Sequence, residues 1–468
     1  MKLFLSSIAF ASVISFFGIN TSNNNGPKDA EKNFTNYCSS CHGERVVAFV
    51  DRKWVHGNSK EEIIKSISNG YSDAGMPAWK EVLKPQEIED LADLIVSKLG
   101  SVEQYQFEDK VTSNHFSTEK IKVVLDTIAA GLDSPWGMAQ LPDNSFLITD
   151  RAGKLYHVDQ NQNKTEIKGI PDALSRGQGG VLDLVLHPNF KDNGWIYMSY
   201  SKHKKIDGVE NTATAIVRGH IKNNQFVDQE ELFVSSPFTK TYHHFGSRIT
   251  FDRAGKMYFS VGERGMEKVF PQGTDNDNGK IHRLNDDGSI PSDNPFVGKD
   301  PEKFHQSIYS YGQRNPQGLT TNPFNGEIWE TEHGPRGGDE LNIIQPGRNY
   351  GWPVISYGIN YNGKPITDIS SKEGMEQPQH YWIPSIAPSG LTFVSSDKYP
   401  AWKGNLMVGS LRFKYLNRCE IQNGKVIHEE KLFPNLGRMR NVIQGQDGYL
   451  YIAVEQPGMV FRVRQEMD

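Results

Sequence analysis

Two cysteines separated by two residues and followed at once by a histidine, Cys38-Ser39-Ser40-Cys41-His42, state a chemistry more directly than any other stretch of this chain. Each thiol can form a thioether to a vinyl group of haem, and the adjoining imidazole can then reach the iron as an axial ligand. A redox dithiol or half of a zinc site are the alternative uses of such a pair. Zinc would need a second pair of ligands, and the remaining cysteine, Cys419, is alone and distant in sequence. An iron held by His42 wants a ligand on its other face. Met76, in Gly75-Met76-Pro77, offers a thioether from a glycine- and proline-rich loop, with a gap-filling core methionine as the other reading. The spacing predicts a covalently attached haem c that carries electrons.

A second group of candidates lies in four polar, glycine-rich insertions further on. These are Arg176-Gly177-Gln178-Gly179-Gly180, then His243 to Arg248, then Gly312 to Gly318 with Glu332 to Glu340, and finally Ser410 to Lys414 with Arg438-Met439-Arg440. Arg314, Arg412, Arg438 and Arg440 supply forked donors suited to carboxylates, which points to an anionic, planar, polar ligand. Any one of them read alone is equally a solvated ion pair. His244 can serve as a general base near neutral pH or as a structural histidine. The Gly334-Pro335 turn and Asp339 offer oxygens that suit a hard cation such as calcium. Spacing alone leaves an oxidoreductase, a lactonase and a binding module open.

The elements that must position these groups fall into two domains. Met1 to Gly18 has a short basic start and an apolar run. This predicts a signal peptide over residues 1–22, cleaved between about Gly18 and Asn25, and hence export to the periplasm. No later run is long and apolar enough to span a bilayer. Over residues 29–100, Lys84-Pro85-Gln86-Glu87 opens a helix whose Ile88, Leu91, Ala92, Ile95 and Leu99 recur on one face. Residues 101–120 are polar and aperiodic and read as a linker. From 121 to 466 a unit recurs: an apolar segment, a turn rich in Asp, Asn or Gly, then a β-branched and aromatic run. Leu141–Asn144, His187–Phe190, Asp252–Gly255, Asn322–Gly326, Trp402–Gly404 and Gln446–Gly448 are its six turns. Six such units predict a propeller, with a β-sandwich as the alternative, and propellers bind ligands at the channel mouth. A formal net charge of -5 argues against nucleic acid as a partner.

Cys38, Cys41 and His42, then Gly75-Met76-Pro77 and a closing helix, make residues 29–100 resemble a class I cytochrome c. From about Leu132 to Val463 the chain is similar to the soluble glucose dehydrogenases and aldose sugar dehydrogenases, which use pyrroloquinoline quinone (PQQ). The matching segments include Pro135–Ala139, Arg176–Phe190, His244–Arg248, Arg314–Gly318, Glu332–Asn342, Asn349–Pro353 and Arg438–Arg440. The resemblance implies an all-β six-bladed β-propeller preceded by a small all-α cytochrome c domain. It also implies roles. His244 would take the proton of a sugar's anomeric hydroxyl, and Gln178 would help hold the sugar. Arg314, Asn315, His333 and Arg412 would meet the quinone, while Arg438 and Arg440 would bind its carboxylates. The carbonyls of Gly334 and Pro335 would hold calcium, with Asp339 close by. Arg412, Glu263 and His333 stand where the glucose-oxidising members commonly have lysine, aspartate and glutamine, and Val454-Glu455-Gln456 lacks a threonine often found at the cofactor. The expectation is a quinohaemoprotein that oxidises an aldose to its lactone. It would pass electrons through its haem to an external acceptor, whether a soluble cytochrome, a copper protein or the quinone pool. A propeller lactonase or a catalytically silent sugar-binding propeller is the alternative.

Overall fold

The computed structural model describes residues 26–38, 42, 46–49, 54, 56–71, 76–99, 111–361 and 365–466. The expected signal peptide, Cys41 and residues 101–110 lie outside these. Gly26–Asn33, Lys60–Asn69 and Pro85–Leu99 form the main helices of the N-terminal domain. Ser59 caps the second with a capping box: its side chain accepts from the Glu62 N–H, and the Glu62 side chain reaches back to the Ser59 backbone. Ile88, Leu91, Ala92 and Ile95 of the third are buried, as their spacing predicts. They pack against Phe34, Ile63, Ile67 and Leu83, and each such side chain contributes about 1.5–3 kcal/mol through burial. No described helix is long and apolar enough to cross a membrane.

Six antiparallel sheets follow, and each is one blade. The first strands of the blades are Pro135–Gln140, Val181–Leu186, Ile249–Phe251, Pro316–Thr321, Pro388–Phe393 and Met439–Gln444. Each contacts the first strand of the next blade, and the sixth contacts the first, so these strands line the axis of a closed ring. The second strands are Phe146–Asp150, Ile196–Ile206, Met257–Val261, Ile328–Glu332, Leu406–Ser410 and Leu450–Val454. The six turn units read from sequence are the links between first and second strands. The propeller is therefore confirmed over the sandwich.

The last blade closes the ring. Its order is Met439–Gln444, Leu450–Val454, Met459–Gln465, Lys122–Ala129 and His115–Ser117, so a strand from the start of the domain pairs with the chain's last strand, Leu125 opposite Val463. This shortens the expected linker, because His115–Ser117 is the edge strand of that blade and pairs with Lys122–Val124. With one apolar side chain, half-buried Phe116, between exposed His115 and Ser117, a three-residue edge strand is too short for alternation in the sequence to reveal it.

Candidate active site

Because each first strand starts at the end of the ring where each second strand finishes, one mouth is built from those twelve strand ends. Five of the six first strands also carry a register shift at that end, between Pro135 and Met138, Val181 and Leu184, Pro316 and Gly318, Pro388 and Leu391, and Met439 and Asn441. Such bulges re-aim side chains out of the ladder. Trp136, Leu182, Gln317 and Arg440 stand at these shifts, and all four line the cavity at the mouth. Arg151, Gln178, Phe245, Asn315, His333, Leu411, Arg438 and Glu455 complete most of its wall.

Trp136 is the aromatic part of the wall, with the guanidinium of Arg248 4.1 Å from its ring centroid and that of Arg440 5.5 Å away. Arg248 is buried and held by Asp183 at 2.8 Å. Arg438 and Arg440 share one carboxylate. Glu455 accepts from Arg438 Nε at 2.9 Å and from Arg440 Nε at 2.7 Å. Burial alone would push Glu455 up, but the two guanidiniums outweigh it and hold the carboxyl at about 2. Arg440 also donates to Gln317 Oε1 at 2.8 Å.

His244 adjoins the cavity between Gln178 and Phe245. Its backbone N–H donates to Gln178 Oε1 at 2.8 Å, so the expected sugar-holding glutamine also holds the histidine. Its Nδ1 meets Glu263 Oε1 at 2.5 Å, and Glu263 is fully buried. Glu263 Oε2 accepts from the Met266 N–H at 2.6 Å. Burial, then Arg314, His243 and Arg264, hold His244 well below 6.5, so the imidazole is neutral at pH 7. Nδ1–H then donates to Glu263 and leaves Nε2 with its lone pair, which is the state a proton acceptor needs. Gly262 permits this packing, since a Cβ there would stand 2.2 Å from the His244 carbonyl oxygen.

Arg314 Nη1 donates to the carbonyls of His333 at 3.0 Å and Gly334 at 3.1 Å, and its backbone N–H donates to Glu332. Asn315 Oδ1 accepts from the Gly246 N–H at 3.1 Å. His333 donates Nε2–H to the Pro388 carbonyl, and burial with Arg314 and Arg440 pushes it down to about 3. Asp339 is buried, and both its oxygens are engaged. Gly334 N–H and Ser385 Oγ donate to one and Ala387 N–H to the other, so Asp339 fixes the Gly334-Pro335 turn. Arg412 is exposed and donates to the Ser385 carbonyl at 2.9 Å; like His244 and Arg314, it is not among the residues lining the cavity.

In the N-terminal domain Cys38 is half-buried, and the half-buried His42 ring lies 5.0 Å from that of Phe49. Met76 is half-buried and is fixed by a two-way backbone pairing with Tyr71. Sequence reading missed two partners, Glu263 for His244 and Glu455 for the arginines. Glu455 follows the end of a second strand directly and Glu263 follows one by two residues, as Asp150 and Glu332 end theirs, so an acid near that point of a blade is the signal that could have found them.

A family model described as glucose/sorbosone dehydrogenase matches residues 132–462, and one described as cytochrome c oxidase, cbb3-type, subunit III matches residues 25–95. An aldose sugar dehydrogenase of Escherichia coli (strain K12) is 39% identical over 345 residues, which is 73% of this chain and 91% of that protein. The crystal structure of the soluble aldose sugar dehydrogenase from Escherichia coli in its apo form matches with a TM-score of 0.70 at 38% identity, over 74% of this chain and 100% of that one. The PQQ-bound aldose sugar dehydrogenase of Streptomyces coelicolor matches with 0.60 at 27% identity, over 74% and 98%.

Proposed function

We propose, from the premise that the chain belongs to the glucose/sorbosone dehydrogenase family and is a PQQ-dependent oxidoreductase with a cytochrome c domain, that it oxidises the anomeric carbon of an aldose to the lactone and delivers the electrons to its own haem. The observation that carries this reading is His244, a neutral base oriented by a buried carboxylate beside a cationic, aromatic-walled cavity, on a chain that also bears a haem-attachment motif.

The residues present fit a planar polyanion. Arg314 Nε is buried with no protein partner among the described residues, Arg438 and Arg440 line the cavity, and Trp136 offers it an aromatic surface. Arg314, Asn315 and His333 would hold the quinone, and Arg438 and Arg440 its carboxylates. PQQ, when bound, supplies a two-electron acceptor for the hydride of the anomeric C–H. His244 Nε2 takes the hydroxyl proton, and Glu263 stabilises the imidazolium that results. Gln178 positions both His244 and the sugar. The carbonyls of Gly334 and Pro335, in the turn fixed by Asp339, are hard oxygen donors of the kind calcium takes. Cys38, Cys41, His42 and Met76 would hold a haem, which would supply a one-electron outlet to an external acceptor: a soluble cytochrome, a copper protein or the quinone pool. Export by the N-terminal leader would place this chemistry in the periplasm.

The test is to load the haem-bearing chain with PQQ and calcium, add aldoses one at a time, and follow the haem's visible absorption. Reduction that depends on both sugar and PQQ is expected. No reduction with any aldose, together with hydrolysis of a sugar lactone, would favour the lactonase instead.

A further inference from the structure

The peptide group joining His243 to His244 is held at both polar ends by side chains from outside its own segment. Its N–H donates to Gln178 Oε1 at 2.8 Å, and its carbonyl accepts from Arg264 Nη1 at 2.6 Å. The grip matters because His244 has φ 55°, a left-handed conformation that a residue other than glycine keeps only where its surroundings hold it.

Arg264 is fully buried, and its guanidinium lies 3.5 Å from the ring centroid of Phe245. Its Nη2 donates to Thr212 Oγ1 at 2.6 Å and to the Thr241 carbonyl at 3.0 Å. Two of its three acceptors therefore belong to the segment that delivers His244, and the third comes from the strand Val209–Lys222 beside it. Three of its five N–H groups are met, two of them by this one segment, while buried Nε has no hydrogen-bond partner among the described residues. Its chain neighbour Glu263 orients the imidazole through Nδ1. We infer that Arg264 is the positioning residue for the proton-accepting histidine, fixing with Gln178 the plane of the 243–244 peptide so that Nε2 is presented in one direction.

This rests on the reading of His244 as the base. Lysine cannot replace Arg264, because a point charge lacks the fork that reaches His243, Thr241 and Thr212 together. The charged and titratable groups facing His244 are Glu263 and Arg264 from the third blade, Arg314 and His333 from the fourth, and His243 on its own segment.

The experiment compares Arg264→Lys and Arg264→Met with the parent in the full haem-bearing, PQQ- and calcium-loaded chain. For Arg264→Lys, kcat should fall about 10²-fold, the loss expected from misplacing a reacting group by about 1 Å. KM for the sugar and the PQQ affinity, read by fluorescence titration, should hold. Its acid limb should stay in place because the charge is kept, whereas in Arg264→Met the limb should move to higher pH. Adding Gln178→Ala to Arg264→Lys should cost less than the two separate losses, since both grip one peptide. The His244 amide should exchange with deuterium about tenfold faster in Arg264→Lys. Parental kcat in Arg264→Lys, or a parallel loss of PQQ affinity and thermal midpoint with kcat, would overturn the inference. If the parent oxidises no aldose, the proposed function fails. Amide exchange then decides the clamp alone, unchanged exchange refuting it.

Discussion

Replacing Glu263 by glutamine removes a charge while keeping the size of the side chain. In the parent, one carboxylate oxygen meets His244 Nδ1 at 2.5 Å and the other accepts from the Met266 N–H at 2.6 Å. Glutamine has a single acceptor oxygen, so its NH2 must confront one of those two donors. When His244 takes a proton, the parental carboxylate also attracts the imidazolium. With charge centres about 4 Å apart and an effective dielectric of about 20, that attraction is ~4 kcal/mol. The kept hydrogen bond and rearranged water recover part of it, which leaves a loss of about 10²–10³ in kcat. The assay is sugar-dependent haem reduction in the PQQ- and calcium-loaded chain, with PQQ affinity titrated in parallel and expected to be unchanged. A Glu263→Gln variant within about threefold of the parent would show that His244 is not the proton acceptor or that Glu263 does not tune it.

Arg440→Lys loses the fork that spans Glu455 and Gln317, so the Kd for PQQ should rise about tenfold, ~1.4 kcal/mol, measured by fluorescence titration. Because burial and the neighbouring cations hold His244 below 6.5, kcat/KM should show no acid limb from this base until the pH falls under that value, as a pH profile of the parent will read. Buried His282 is pushed down to about 4 while the unfolded chain titrates near 6.5; the unfolded state therefore binds the proton first. Its contribution to stability is whole above 6.5 and is lost as pH falls towards 4, by up to ~3 kcal/mol, and denaturant titrations of His282→Gln should show a shallower slope in that window. Cys38→Ala should abolish haem attachment at that thiol, seen in the spectrum of the denatured protein, yet keep sugar oxidation by an artificial dye.

Much of this fold is legible in the sequence because its punctuation is local. Asp252-Arg253-Ala254-Gly255 and Gln446-Asp447-Gly448 place turn formers ahead of apolar runs, and the number of such units equals the number of blades. His244, Gln178, Asn315, Arg438 and Arg440 are legible as candidates because polar, glycine-rich insertions are costly to keep in a β-rich core. What each of them touches is not local. The glutamine that holds the His244 N–H lies 66 residues away, and Arg248 reaches the Arg440 carbonyl across 192. Glu455, in a segment read from sequence only as lacking a threonine, becomes the shared partner of two arginines only once the blade is folded.

Closure of the ring by its first and last strands makes synthesis of the propeller all or none. Lys122–Ala129 is made first but finds its partner, Met459–Gln465, only when the chain is nearly complete. A prematurely ended chain presents an unpaired strand edge, a surface prone to adhere to other copies. A chain that ended before Arg438 would also lack Arg438, Arg440 and Glu455 from the mouth. The joint between start and end therefore ties completion of the ring to completion of the chain.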